Sequence, residues 1–336
     1  MKRLIKTLGV CALIASIAFS AIGCAPKNTT YSRNNIYFDT IIQVTVFEAD
    51  DVDAMDACFD MASKYEQLFS RTIAESDISK INEANGEYVE VDPETITLIQ
   101  AGIAYAELSD GAFDITIGAL SDTWDFKNNT GTLPEESELT SALSTVGYEN
   151  ILIDGNRVAL ANPDTMLDLG AIAKGYIADQ MKAYLVEHGV TSAIINLGGN
   201  VLLVGNKTDG NKFTIGVQKP FDKNGTTLAA VDISDCSLVT SGIYERYFEM
   251  NHQIYHHILD TKTGYPINNG LYSVTIISPK SVDGDALSTT IYALGLEKGM
   301  QLIEALEDVE AIFVTDTMEI ITSSGINQEI PFRILK

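Results

Sequence analysis

Periodicity in this chain changes at Ser192. Before it, apolar residues recur at helical spacing: Met55, Cys58, Phe59, Ala62, Tyr65, Leu68 and Phe69 predict one helix. Asp92-Pro93, an N-cap followed by Pro at the first helical position, opens another that runs through Leu98 and Ala101 toward Leu108. Ala171 to His188 reads as a third, stopped by Gly189. After Ser192 come short β-rich runs at Ala193 to Leu197, Val201 to Val204, Phe213 to Val217, Leu228 to Ile233 and Tyr272 to Ser278. Helices over Asp283 to Leu294 and Glu297 to Leu306 follow, then strands at Ala311 to Thr315 and Glu319 to Thr322. With a first strand over Ile36 to Phe47, this mixed order departs from a strict βαβ repeat and predicts an α+β fold, its mixed or antiparallel sheets packed with helices.

The N-terminus has a separate purpose. Met1-Lys2-Arg3-Leu4-Ile5-Lys6 is a basic leader, and the uncharged stretch from Thr7 to Ile22 is short for a membrane span but suits the core of an export signal. Ala21-Ile22-Gly23-Cys24 resembles a bacterial lipobox, with Ala21 where Leu is usual, so Cys24 is the expected lipidated residue. The expected organisation is a signal peptide over 1–23, a polar tether over 24–34 and one folded domain over 35–336, held at the membrane outside the cytoplasm through the lipid.

Acidic residues outnumber basic ones 46 to 22, a formal net charge of −24. That balance argues against nucleic acid as a partner. It also means that any phosphate ligand needs a local Lys, backbone amides or a divalent cation to offset the net field. Outside the signal and the lipobox only Cys58 and Cys236 remain, which excludes a disulfide framework and leaves at most one bridge between them.

Five segments are dense in Gly, Asp, Thr and His. Ser109 to Thr116 sets Phe113 beside Asp114 after a Gly turn, and Leu167 to Tyr176 brings Asp168 and Lys174 to a helix start, where free amides suit an anion. Ile195 to Asn200 ends in a Gly-Gly turn that admits close approach to the backbone. Thr240 to Arg246 with His256 to Pro266 holds the adjacent pair His256 and His257; without HExxH spacing or a Cys pair, the segment argues against zinc. In Asp283 to Thr290, Asp285 and Thr289 lie four apart on one helical face, a carboxylate and a hydroxyl suited to a hard cation such as magnesium. Each segment alone also fits ordinary caps, turns and core packing.

Together and in this order, the five segments resemble the ApbE family of flavin transferases, bacterial enzymes that move FMN from FAD onto a hydroxyl of another protein. The likeness extends to Tyr65 to Asn82 (YEQLFSRTIAESDISKIN) and to the run LDLGAIAKGYIADQM. Phe38-Asp39-Thr40 stands where members usually show Met-Gly-Thr, Asn200 where Asp is common, and Leu259-Asp260-Thr261 varies the usual Ile-Asp-Pro. The resemblance implies an ApbE-like fold in which Ala112, Phe113 and Asp114 line the flavin pocket and Phe38 lies near its mouth. Asp168 and Lys174 would contact FAD, and Ile258 or Leu259 would pack on it. Magnesium would be held by Asp285, Thr289 and the carbonyl of Ala171, with Ser288 adjacent, and His257 would be the catalytic base.

On that reading a Ser or Thr hydroxyl of an exported acceptor, by the family's implication a redox-pump subunit, attacks FAD and releases AMP. Two alternatives stay open: a magnesium-dependent hydrolase that gives FMN and AMP, and a lipid-anchored flavin-binding protein without chemistry.

Overall fold

The computed structural model describes residues 30–129, 131–222 and 224–335. The expected signal peptide and Cys24 lie outside these residues. An eight-stranded sheet runs in the order Tyr31–Tyr37, Thr40–Val46, Ser192–Leu197, Asn200–Gly205, Ser237–Gly242, Leu271–Ser278, Glu310–Thr315 and Ile320–Thr322. Every neighbouring pair is antiparallel. Two three-stranded sheets and a hairpin complete the β structure, so the class is α+β as the sequence predicts.

The strand Leu271–Ser278 is buried at seven of its eight positions because the sheet is covered on both faces. Val274 and Ile276 meet Leu287, Ile291 and Tyr292 of the helix Ser281–Ile303 on one face. Ile277, on the other, joins Leu238 and Ile312 against Phe213, Val217 and Val231 of a small sheet. The helix Ala54–Phe69 buries Met55, Cys58, Ala62, Tyr65 and Phe69, the stripe its spacing predicts.

The helix Ser281–Ile303 bends at Gly295, whose φ of +76° breaks helical geometry where the sequence separates two helices. Its first turn meets the first turn of the helix Ala173–Glu187. Asp179 accepts from Ser281 N and Val282 N at 2.8 and 2.9 Å, while Asp285 Oδ2 accepts from Gly175 N at 2.9 Å. Each helix thus satisfies free amides of the other. Only Gly fits at 175, since a Cβ there would lie 2.2 Å from Ser281 O.

Some expectations change. The predicted strand over Ile36 to Phe47 takes in the end of the first arm, the turn and the second arm of a hairpin, Tyr31–Tyr37 paired with Thr40–Val46, which begins within the expected tether. Phe38 and Asp39 form its two-residue turn with φ of +52° and +56°, the left-handed geometry that suits right-twisted strands. The inner strand Ser237–Gly242 was not expected as a strand. Cys58 and Cys236 are both free, and burial pushes the Cys58 thiol up to about 12. Among the described residues no helix is long and apolar enough to cross a membrane.

Candidate active site

The turns at 38–39 and 198–199, the end of the strand Ser237–Gly242 and the two facing helix starts enclose a cavity of about 830 Å³. Of the residues singled out from sequence, Phe38, Ala112, Phe113, Asp114, Asp168, Ala171, Lys174, His257, Ile258, Leu259, Asp285 and Thr289 all line it. Ser288 does not.

At one wall the helix starts create a group of oxygen donors. Gly175 N, which in an uninterrupted helix would donate to the carbonyl of Ala171, donates instead to Asp285 Oδ2. Ala171 lines the cavity, and its carbonyl is thereby left without its usual helical partner. Asp285 is only 4% exposed; its other oxygen, Oδ1, lies 3.4 Å from Lys174 Nζ. Thr289 is one turn further along the same face, its hydroxyl 3.1 Å from Ser241 Oγ. Ser288 is rotated off that face and buried, and its hydroxyl donates to the Asp285 carbonyl at 2.9 Å, so it braces the helix behind the wall. Among the described residues no three His, Cys, Asp or Glu side chains cluster to hold a metal. One carboxylate, one hydroxyl and one carbonyl are hard donors that fit magnesium completed by water and ligand phosphate, and do not fit zinc.

Asp168 Oδ1 accepts from Gly170 N at 2.8 Å, and Oδ2 lies 3.0 Å from Arg71 Nε. Arg71 also holds Asp122 at 2.5 Å. Glu66, Arg71, Ser241 and Arg246, which lie in segments the sequence singles out but to which it assigns no role, line the same cavity. Lone charged residues carry no local signal; only the fold brings Arg71 to Asp168.

Asp114 lines the cavity, and its oxygens also hold the surrounding loop. Its Oδ1 accepts from Thr116 N and Oγ1 at 2.8 and 2.7 Å, and its Oδ2 accepts from Tyr148 N at 2.9 Å. Burial raises its proton affinity, and the bonds from Thr116 and Tyr148 oppose that rise. It therefore shapes the loop around the cavity. Phe113, 3% exposed, packs its ring edge-on to Tyr105 at 6.1 Å and serves as core as well as wall.

The two adjacent His residues separate sharply. The strand ends at His256, which is buried, with Nε2 2.9 Å from the carbonyl of Ile267 and Nδ1 accepting from Ile258 N at 3.3 Å. Both ring nitrogens of His256 are occupied. His257, just past the strand end, lines the cavity, and its Nδ1 is 3.3 Å from the carbonyl of Arg246. A carbonyl only accepts, so Nδ1 carries the proton and Nε2 keeps its lone pair. Desolvation first, and the Arg246 charge second, hold this imidazole down to about 3, neutral at physiological pH. Asp260 Oδ1 accepts from Lys262 N at 2.7 Å and closes its own turn.

Comparison with known proteins gives matches over most of the chain. The model of the ApbE family matches residues 38–313. The FAD:protein FMN transferase of Klebsiella pneumoniae (strain 342) is 38% identical over 300 residues, covering 88% of this chain and 93% of that protein. That of Treponema pallidum (strain Nichols) is 31% identical over 88% of this chain and 87% of its own. Among solved structures, the ApbE protein of Thermotoga maritima superposes with a TM-score of 0.82 at 32% identity, over 89% of this chain and 99% of that one. The flavin transferase ApbE of Vibrio cholerae gives 0.79 at 25% identity, with the same coverage of both chains.

Proposed function

The chain belongs to the ApbE family and is an FAD:protein FMN transferase, and within that activity we propose a magnesium-dependent transfer to a Ser or Thr hydroxyl of an exported acceptor, with AMP released. The observation that carries the reading is the meeting, in one cavity, of His257, its Nδ1 held by the Arg246 carbonyl, with Asp285, Thr289 and Ala171.

His257 Nε2 takes the proton as the acceptor oxygen forms its bond to the FMN-side phosphorus. The bond from that phosphorus to the bridging oxygen breaks, and AMP departs with the oxygen. Lys174 and Arg71 supply positive charge to a site whose protein is strongly acidic overall. Phe38, Ala112, Phe113, Ile258 and Leu259 give the apolar wall for the flavin. Bound magnesium, held by Asp285, Thr289 and Ala171, would neutralise pyrophosphate charge.

Mass spectrometry of a candidate acceptor incubated with FAD and magnesium tests the proposal. An FMN adduct on Ser or Thr, with AMP formed in equal amount, is expected. FMN and AMP without adduct would make the protein a hydrolase in that assay.

The domain organisation and location follow from the N-terminus. We propose that export and lipidation at Cys24 hold the catalytic domain at the outer face of the membrane, where an exported acceptor is within reach. Cys24→Ala should then lose incorporation of labelled fatty acid. Equal label in the variant and the wild type would show that Cys24 is not the anchor.

A further inference from the structure

Four cations line the cavity, and three of them are engaged by carboxylates. Arg71 lies between Asp122 and Asp168, Lys127 Nζ is 2.7 Å from Asp39 Oδ2, and Lys174 Nζ is 3.4 Å from Asp285 Oδ1. Elsewhere in the described chain Arg33, Arg157 and Arg333 are paired with Asp56, Asp154 and Asp232. The fourth cation of the cavity, Arg246, has no carboxylate partner among the described residues, in a chain where acidic residues outnumber basic ones 46 to 22.

A hairpin of Tyr247–Met250 with Gln253–His256 sets where Arg246 stands. Tyr247 pairs with His256, so the next residues outward, Arg246 and His257, lie opposite each other, and His257 N donates to the Arg246 carbonyl at 3.1 Å. Residues opposite each other in an antiparallel pair project to the same face. Arg246 is exposed and lines the cavity, as His257 does. After desolvation, its charge does most to keep the His257 ring neutral, ahead of His256 and Lys174, as a guanidinium beside that ring requires.

We infer that Arg246 is a catalytic residue whose guanidinium donates to the non-bridging oxygens of the FMN-side phosphate during transfer. The inference rests on the proposed function. There the acceptor oxygen bonds to that phosphorus and gives its proton to His257 Nε2, while the bond from phosphorus to the bridging oxygen breaks and AMP leaves with that oxygen and its electron pair. The phosphorus therefore sits within one acceptor oxygen of His257, on the face that Arg246 shares. A planar guanidinium has five N–H donors and stays charged, so it suits two oxygens of a phosphoryl group whose charge is shifting.

Flavinylation of an acceptor by the wild type, R246Q and R246K tests it, with FAD Kd, melting temperature and the pH profile measured beside the rate. R246Q should lower kcat roughly 10²- to 10³-fold, the loss expected when one donor to a transition state is removed, while its FAD Kd changes less than about tenfold. R246K keeps the charge without the fork of donors and should fall between R246Q and the wild type. Melting temperatures should be alike, because the side chain is exposed.

Wild-type kcat in R246Q would overturn the inference. So would a raised KM for FAD with kcat unchanged, which would make Arg246 a ground-state contact. If Arg246 acted only by keeping His257 neutral, R246Q would move the acid limb of kcat/KM to higher pH and reach the wild-type rate above it, and that result overturns the inference too. A wild type that forms no adduct would sink the underlying reading, and this inference with it. Failure of Arg246 alone looks different, because wild type and R246Q would then both transfer FMN equally well.

Discussion

His257→Ala should transfer FMN roughly 10²- to 10⁴-fold more slowly than the wild type while still binding FAD, the loss expected for a general base. His257 lines the cavity, and its Nδ1 is tied to the Arg246 carbonyl, which leaves the lone pair on Nε2. FAD binding draws on many other groups and should survive. His256→Ala should do the reverse: both ring nitrogens of His256 hold backbone groups, so stability falls while transfer by the folded protein changes little. The measurement is FAD binding by fluorescence beside the rate of covalent flavinylation for both variants. Loss of FAD binding in His257→Ala would make this residue a ligand contact, and a larger catalytic defect in His256→Ala would assign the base to the wrong ring. The pH profile adds a second readout. Because the free imidazole is held down to about 3, kcat/KM should carry no His257 limb between about pH 5 and pH 8. Negative charge from bound pyrophosphate favours the protonated ring, so the acid limb of kcat should lie at higher pH than that of kcat/KM.

Removal of the Asp285 charge is the second large effect. Asp285→Asn should lower transfer roughly 10²- to 10³-fold, in the range seen when one electrostatic contact to a transition state is lost. Asn is the informative substitution because the carboxylate is buried and also holds Gly175 N. Asp285→Ala removes that bond as well, so its stability cost is larger than for an accessible metal carboxylate. Thr289→Val should act in the same direction more mildly. The check is the transfer rate as magnesium is varied, with melting temperature measured alongside. If Asp285→Asn transfers FMN at the wild-type rate in limiting magnesium, the cation is held elsewhere.

Much of this protein is legible in its sequence because the signals are local. Helical spacing from Met55 to Phe69 marks the buried stripe, and the break between Leu294 and Glu297 is the bend at Gly295. Alternation is harder to read when both faces of a strand are covered. Ser237–Gly242, with its Ser, Thr and Gly, carries no apolar alternation, yet the helix that bears Asp285 packs on it through Gly284, where a Cβ would lie 2.9 Å from Val239 Cγ2.

The sequence alone determined the α+β class, the segments that carry the chemistry and the kinds of group available: a His pair, an Asp and Thr one helical turn apart, a Lys at a helix start. Only the tertiary structure decided which atoms of those groups remain free. It engages both oxygens of Asp114 in a loop, occupies both nitrogens of His256, and divides Asp285 between Gly175 N and the cavity. The physical reason is that a residue's type follows from the chain, whereas the hydrogen-bond capacity it has left depends on partners that folding brings from distant positions, as it brings Arg71 to Asp168 and Ser281 to Asn200.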